Sequence, residues 1–458
     1  MTHYDLAVIG TGSGNMIVNR RFADWRVAIV EENLFGGTCL NVGCIPTKMF
    51  VYPADVARVA ADGPRLGVDT AFTGVRWTDL RDRVFARVER DEVAARAYRE
   101  QQSNVDVVTS RCTFVDDHTL RTAAGERITA DKFVIAAGSR VSVPDVPGLD
   151  EVEHHTSDTV MRLDEVPRRM TIVGGGYVAA EFAHVFSAFG TEVTVVQRGP
   201  VLVKHMDEDV CRRFGELAAR QWDVRLKTEP THVRREGGDI VVSLSDGDEV
   251  HSDVLLMATG RASNADRLGL EHTGVEVRDG LVVVDEHQRT TVEHIWALGD
   301  VCNRFQLKHV ANHESRVVKH NLLHPDDPIA RDHRYVPSTI FTSPQIAAVG
   351  LTSQQAREQD IEHVTATCDY GDVAYGWAME DEDHFVKVLA DTRGDLLGAH
   401  IIGPQSSLLL QPLVQALSFG TNGHQMAREQ YWAHPILAEV VENALLRLAR
   451  GSVPKSPS

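Results

Sequence analysis

Twice in this chain an apolar strand runs into a glycine-rich turn, an apolar helix and a second strand, and no other feature constrains the fold as much. The first copy reads Leu6 to Ile9, then Gly10-Thr-Gly12-Ser13-Gly14-Asn15, a helix to about residue 25, and a strand over 27–30 that ends at Glu31. The second reads 170–173, then Gly174-Gly175-Gly176-Tyr177-Val178-Ala179, a helix to about residue 189 and a strand over 192–196. Such a turn lets backbone N–H groups approach a pyrophosphate at the helix N-terminus. A lone motif of this kind is weak evidence, but each copy here follows a strand and opens a helix. Two dinucleotide-binding βαβ units are therefore expected.

The strand ends separate the two nucleotides. Glu31 stands about 20 residues after Gly10, where a carboxylate hydrogen-bonds a ribose 2′-hydroxyl. The second unit has no acid there: Val195-Val196-Gln197-Arg198 is followed by Lys204. A neutral residue and two cations suit a 2′-phosphate, so NADP is expected over NAD; the plainer reading makes Arg198 and Lys204 solvated surface charges. Asn15 replaces the third glycine of the first turn.

Between the two units stands Gly36-Gly37-Thr38-Cys39-Leu-Asn-Val-Gly-Cys44-Ile-Pro-Thr-Lys48. Two thiols five positions apart, with Pro46 in the first turn of a helix, can close and reopen a small disulfide ring. The helix end and Lys48, one turn further on the same face, favour a thiolate at Cys44. The other cysteines, at 112, 211, 302 and 368, are scattered singly, which gives zinc little support.

At 458 residues the chain exceeds one hydrophobic core, so two to four domains are expected. A net charge of −18 argues against nucleic acid or an anionic membrane as partner. No signal peptide or membrane-spanning run is read, and a close cysteine pair in a reducing compartment is catalytic more often than structural, so the cytoplasm is the expected location. Past the second unit come Ala258-Thr-Gly260-Arg261, Trp296-Ala-Leu-Gly-Asp300 and a histidine-containing helical stretch over 308–320. Pro325-Asp-Asp-Pro328 reads as a linker, and strands over 338–341, 385–390 and 398–402 among helices read as a separate α+β domain.

In this order the motifs resemble the pyridine nucleotide disulfide oxidoreductases, over essentially the whole chain. The resemblance implies two Rossmann-like three-layer α/β domains and an α+β C-terminal domain that forms a homodimer. The implied divisions are an FAD-binding domain over 1–150 and 263–330, an NADPH-binding domain over 151–262, a dimerisation domain over 335–450 and a tail over 451–458. Cys39 resembles the interchange thiol that attacks substrate, and Cys44 the thiol beside the flavin ring. Lys48 resembles the lysine near the flavin, paired with Glu181, and Tyr177 the tyrosine that moves aside for nicotinamide. Asp300 resembles the aspartate on the ribityl chain. Thr38, Gly138, Gly260 and Lys308 are further implied cofactor neighbours. His434-Pro-Ile-Leu-Ala-Glu439 resembles a motif whose histidine, oriented by the glutamate, serves the other subunit as general acid and base.

The implied reaction takes hydride from NADPH through FAD and the Cys39–Cys44 disulfide to a small-molecule disulfide. The stretches Lys-His-Val-Ala-Asn-His-Glu and Tyr-Gly-Asp-Val-Ala-Tyr-Gly-Trp-Ala-Met-Glu-Asp resemble the branch that reduces the disulfide of mycothiol, a cysteine carried on an uncharged pseudo-disaccharide. Arg20 and Arg316, near where the glutathione branch places arginines for carboxylates, keep glutathione disulfide open as the substrate. A lipoamide-type activity fits less well, since that branch keeps an acid where Gln197 stands. A flavin-based sensor without turnover needs no proton donor, which the His434 motif supplies.

Overall fold

The computed structural model describes residues 2–451; of the tail expected over 451–458, only Gly451 is among them. Five parallel strands form the centre of the first sheet, in the order Val105–Thr109, Val27–Glu31, Thr2–Ile9, Arg127–Ile135 and Ile295–Ala297. Strands covered on both faces read as apolar runs, and Leu6 to Ile9 are all buried. An antiparallel meander, Cys112–Asp116 and Thr119–Thr122, continues from the near end of Arg127–Ile135. The fifth parallel strand reaches this sheet only after the chain has built a second one.

The helix expected after Gly14 is absent. Two single 3-10 turns, Gly14–Met16 and Arg20–Phe22, replace it. The cause lies 84 residues away: Arg99 donates to the backbone oxygens of Asn15 and Val18 and to Oδ1 of Asn15. Those carbonyls would otherwise accept N–H groups one helical turn on. Asn19 then takes an extended conformation and its side chain accepts from the Arg21 N–H at 2.9 Å, starting the second turn.

Three helices follow in the first unit: α1 (Gly37–Asn41), α2 (Cys44–Asp62) and α3 (Trp77–Glu100). The second unit has a parallel sheet in the order Asp223–Leu226, Glu192–Gln197, Arg169–Val173, Val254–Met257. Helices α4 (Tyr177–Ala188) and α5 (Glu208–Ala219) belong to it, with a three-stranded antiparallel sheet alongside. Phe50, Val51 and Ala54 of α2 share one core with Ala180, Phe182 and Ala183 of α4, so the helix that begins at Cys44 is clamped between both units. The two chain crossings between the units pair with each other, Ser139–Val141 antiparallel to Arg261–Ser263.

After α6 (Lys308–Leu323) the chain enters a five-stranded antiparallel sheet, ordered Ser338–Ile340, Ile346–Gly350, Leu396–Ile402, Phe385–Ala390, Val364–Asp369. Helices α7 (Ser353–Glu358), α8 (Ala374–Met379), α9 (Ser406–Phe419), α10 (Gly423–Glu429) and α11 (Glu439–Gly451) complete this α+β unit. Lys387, 3% exposed, ties it to the second unit: Nζ donates to Asp207 Oδ1 and Asp209 Oδ2, both at 2.7 Å. The α/β units with an α+β C-terminal unit agree with the expected fold class. No helix among the described residues is long and apolar enough to cross a membrane.

Candidate active site

Cys39 lies in the short helix α1, and Cys44 is the first residue of α2. Both are free thiols here, Cys44 exposed and Cys39 partly so. The Cys39 pKa is brought down to about 7, first by a hydrogen bond from the Cys44 thiol, then by the Lys308 charge and the N–H groups of Cys44 and Ile45, against the opposing effect of burial. The Cys44 pKa moves up, chiefly because its proton is held by Cys39. The Cys44 N–H and the Lys308 charge favour ionisation of both sulfurs, so the helix end acts on Cys39 as well as on Cys44.

Lys48 sits one turn into α2, with Nζ 4.0 Å from the ring centroid of Phe341. Glu181 on α4 accepts the Phe341 N–H at 2.9 Å, and burial pushes its carboxyl up to about 7. Burial lowers the Lys48 pKa, and the nearby carboxylates of Asp55 and Glu181 oppose that shift. Among the described residues no ion pair within contact distance joins Lys48 to Glu181, though each charge acts on the other, and Phe341 makes contact with both. Phe341 follows a strand in a different unit, so local pattern gave no signal of its role. Tyr177, first in α4, keeps 42% exposure, and its hydroxyl pKa is raised by burial, with the charges of Arg261, Asp300, Glu181 and Cys44 all acting on it.

The two glycine turns are built alike. Gly10 has φ +103°, and a Cβ there would lie 2.3 Å from the carbonyl oxygen of Ala136; Gly174 has φ +124° and the same conflict, 2.2 Å, with Ala258. Each first glycine thus allows the turn to pass against the end of the next parallel strand. A Cβ on Gly37 would come 2.8 Å from Gly12 Cα, so the cysteine segment, with Thr38, lies directly against the first turn. Glu31 accepts from the Thr11 N–H at 3.0 Å and the Thr11 hydroxyl at 2.5 Å, holding the turn at the strand end. Ser13 donates to Asn312 of α6 at 2.9 Å, which brings Lys308 to the same side. Asp300 accepts from the Ser139 hydroxyl at 2.7 Å, and Arg261 donates to that hydroxyl at 2.8 Å, so Gly138, Gly260 and Asp300 meet where the chain crosses between units. Among the described residues no side chain fills the space beside Gly138, Gly176 or Gly260. A narrow backbone cradle with a carboxylate at the strand end fits the adenine dinucleotide FAD.

In the second unit the Gln197 side chain covers Gly175, within 2.8 Å of where a Cβ would be. Arg198 and Lys204 are exposed, and among the described residues neither pairs with a carboxylate. Two unpaired cations at the end of this strand fit the 2′-phosphate of NADPH.

His434 stands apart from the thiols. Its Nδ1 lies 2.8 Å from Glu439 Oε1, while Glu439 Oε2 accepts the Ile436 N–H at 3.1 Å, so the glutamate orients the ring. The imidazole is 69% exposed and makes no hydrogen bond to Cys39 or Cys44 within the chain. One subunit alone gathers the cysteines, Lys48, Glu181, Tyr177 and Lys308, and leaves the His434–Glu439 pair facing outward.

Residues 4–315 match the family described as pyridine nucleotide-disulphide oxidoreductase, and residues 336–445 match that family's dimerisation domain. Mycothione reductase of Mycobacterium tuberculosis is 51% identical, covering 98% of this chain and 100% of the relative. Glutathione reductase of Burkholderia cepacia is 33% identical over 90% of this chain and 92% of its own. The copper(II) complex of the HOCl-induced flavoprotein disulfide reductase RclA from Escherichia coli superposes with a TM-score of 0.86 at 27% identity, covering 98% of this chain and all of that one. With its cysteine pair set against the first of two glycine turns, the chain belongs to the pyridine nucleotide-disulphide oxidoreductases.

Proposed function

We propose that this enzyme uses NADPH to reduce the disulfide of mycothiol to two thiols, as a cytoplasmic homodimer whose active site is shared between subunits. The observation that carries the chemistry is the pair of free thiols, Cys39 in α1 and Cys44 at the head of α2, with the Cys39 sulfur accepting from the Cys44 thiol. The nucleophile in thiol–disulfide exchange is the thiolate. The Gly10 turn, Glu31, Asp300 and Lys308 would hold FAD, which when bound would supply the transfer of an electron pair from NADPH to the Cys39–Cys44 disulfide.

Once that disulfide is open, Cys39 Sγ attacks one sulfur of the substrate, and the substrate S–S bond breaks. The departing thiolate takes a proton from His434 of the partner subunit, whose ring is steadied by the glutamate five residues on. Cys44 then loses its proton to the same histidine and attacks Cys39 Sγ, which releases the second thiol and restores the Cys39–Cys44 bond. NADPH, one proton and the disulfide become NADP⁺ and two thiols. Lys48 and Glu181 stand beside the cofactor site, Glu181 with its carboxyl pushed up to about 7 by burial, and Arg198 with Lys204 hold the 2′-phosphate.

Identity across the whole length to a mycothione reductase supports the substrate. Arg20 and Arg316 support glutathione disulfide as the second reading: both are exposed, and among the described residues neither is in an ion pair. The test is NADPH oxidation measured side by side with the disulfides of mycothiol, glutathione and lipoamide. Preference for glutathione disulfide overturns the substrate and leaves the thiol chemistry in place.

A further inference from the structure

Between α6 and residues 332–337 lies a cavity of about 240 Å³ that none of the steps above uses; His309, His313, Asp332, His333, Tyr335 and Ser418 line it. Its place in the chain ties it to the thiols, because Lys308, whose charge acts on Cys39, immediately precedes His309 at the head of α6. His309 and His313 are four residues apart and share a helix face.

Their hydrogen bonds define what each ring offers. His309 Nε2 lies 2.9 Å from the carbonyl oxygen of Pro337, which can only accept, so Nε2 carries the proton and Nδ1 is left as an acceptor. His313 Nε2 accepts from the Asp332 N–H at 3.1 Å, so in the neutral ring Nδ1 carries the proton and is left as a donor. Burial lowers the His313 pKa and favours that neutral form. His333 Nε2 is 3.1 Å from Glu314 Oε1 but out of line for a hydrogen bond, a buried polar atom without a partner. Tyr335 and Ser418 add two hydroxyls, each able to donate and accept.

The Asp332 carboxylate is paired with Arg334, at 3.1 and 2.8 Å, and no other carboxylate, lysine or arginine is among the lining residues. Arg316 acts on His313 from nearby but is not among the lining residues. Hydrogen-bonding groups set among the apolar side chains of Val310, Val336 and Pro337 match a hydroxyl-bearing ring, which has both polar edges and apolar faces, and the lining holds no lysine or arginine to seat a carboxylate. The volume equals that of about eight waters, room for one ring.

We propose that this cavity is a subsite for one hydroxyl-bearing ring of the substrate, selecting an uncharged polyol-linked disulfide over an anionic one. The proposal rests on the disulfide-reductase reading above. It assigns specificity, not chemistry, to His309, His313 and Tyr335.

The experiment compares the disulfide of mycothiol with that of N-acetylcysteine, which has the reacting sulfurs but no sugar, in the unaltered holoenzyme and in His313→Ala and Tyr335→Phe. Expected is a loss of roughly tenfold in kcat/KM for the mycothiol disulfide in each variant, carried by KM. The truncated disulfide and the rate of flavin reduction by NADPH should not change. Tyr335→Phe keeps the ring and its packing, so its loss isolates the hydroxyl. Equal losses on both substrates, or no loss on either, overturn the subsite. Preference of the unaltered enzyme for glutathione disulfide overturns instead the substrate reading on which the subsite depends.

Discussion

Replacing Cys44 by alanine removes the thiol that donates to Cys39, the largest of the effects that lower the Cys39 pKa to about 7. A hydrogen bond to a charged acceptor contributes about 1.5–3 kcal/mol, and about 1.4 kcal/mol is a tenfold change in a proton equilibrium. At pH 7 the thiolate share of Cys39 therefore falls from about one half to between about one tenth and one hundredth. The Lys308 charge and the N–H groups of α2 remain in the variant and favour the smaller loss. The assay reduces the protein, removes the reductant, and follows iodoacetamide alkylation of the peptide containing Cys39 by mass spectrometry between pH 5.5 and 9. Cys44→Ala should shift the alkylation midpoint upward, and Cys44→Ser, which keeps an O–H donor, should recover much of it. An unshifted midpoint in the alanine variant, or alkylation of Cys44 ahead of Cys39 in the unaltered protein, refutes this account of which sulfur ionises first.

Arg198→Ala combined with Lys204→Ala should weaken NADPH binding much more than NADH binding, measured by titrating each coenzyme; equal losses remove the 2′-phosphate argument. His434→Ala should slow disulfide reduction at least a hundredfold and spare flavin reduction in stopped-flow, as expected for loss of a proton donor; unchanged turnover makes the residue structural. Glu181 has a folded-state pKa raised to about 7, above its unfolded value, so its neutral form is the one the fold favours. Its contribution to stability is fully present near pH 4.5 and is lost as pH rises through 7. Glu181→Gln should accordingly stabilise the protein at pH 8 relative to the unaltered chain and do little at pH 5, read from denaturant midpoints. Lys387→Met leaves the buried Asp207 carboxylate without its cation and should cost about 3–5 kcal/mol, with Asp207→Asn in the same chain recovering part of it.

Features that depend on short stretches of chain were legible in advance. Both glycine turns stand at strand ends because the requirement there is local: a positive φ at Gly10 and Gly174 and a close neighbouring carbonyl. The cysteine segment was also legible as reactive, since its spacing and glycines describe a ring that can close. What escaped reading was decided by distant residues. Where a helix was expected, Arg99 bonds the carbonyls of Asn15 and Val18, and nothing near residue 15 announces that contact. Phe341 comes from the third unit to contact both Lys48 and Glu181, and no local pattern marks it for that place. The low pKa at Cys39 turns chiefly on the Cys44 thiol donating to it, a matter of three-dimensional direction rather than of sequence distance.

The short ladder between Ser139–Val141 and Arg261–Ser263 pins the way into the second unit beside the way out of it. Everything between those two strands is an excursion whose ends are already joined, and the proposed 2′-phosphate residues Arg198 and Lys204 lie inside it while the cysteines lie outside. The excursion is not independent: α4 packs on the helix that begins at Cys44, and Asp207 and Asp209 pair with Lys387 of the C-terminal unit. A change of electron donor that keeps the thiol chemistry is therefore confined to exposed positions such as Arg198 and Lys204, away from those two contacts.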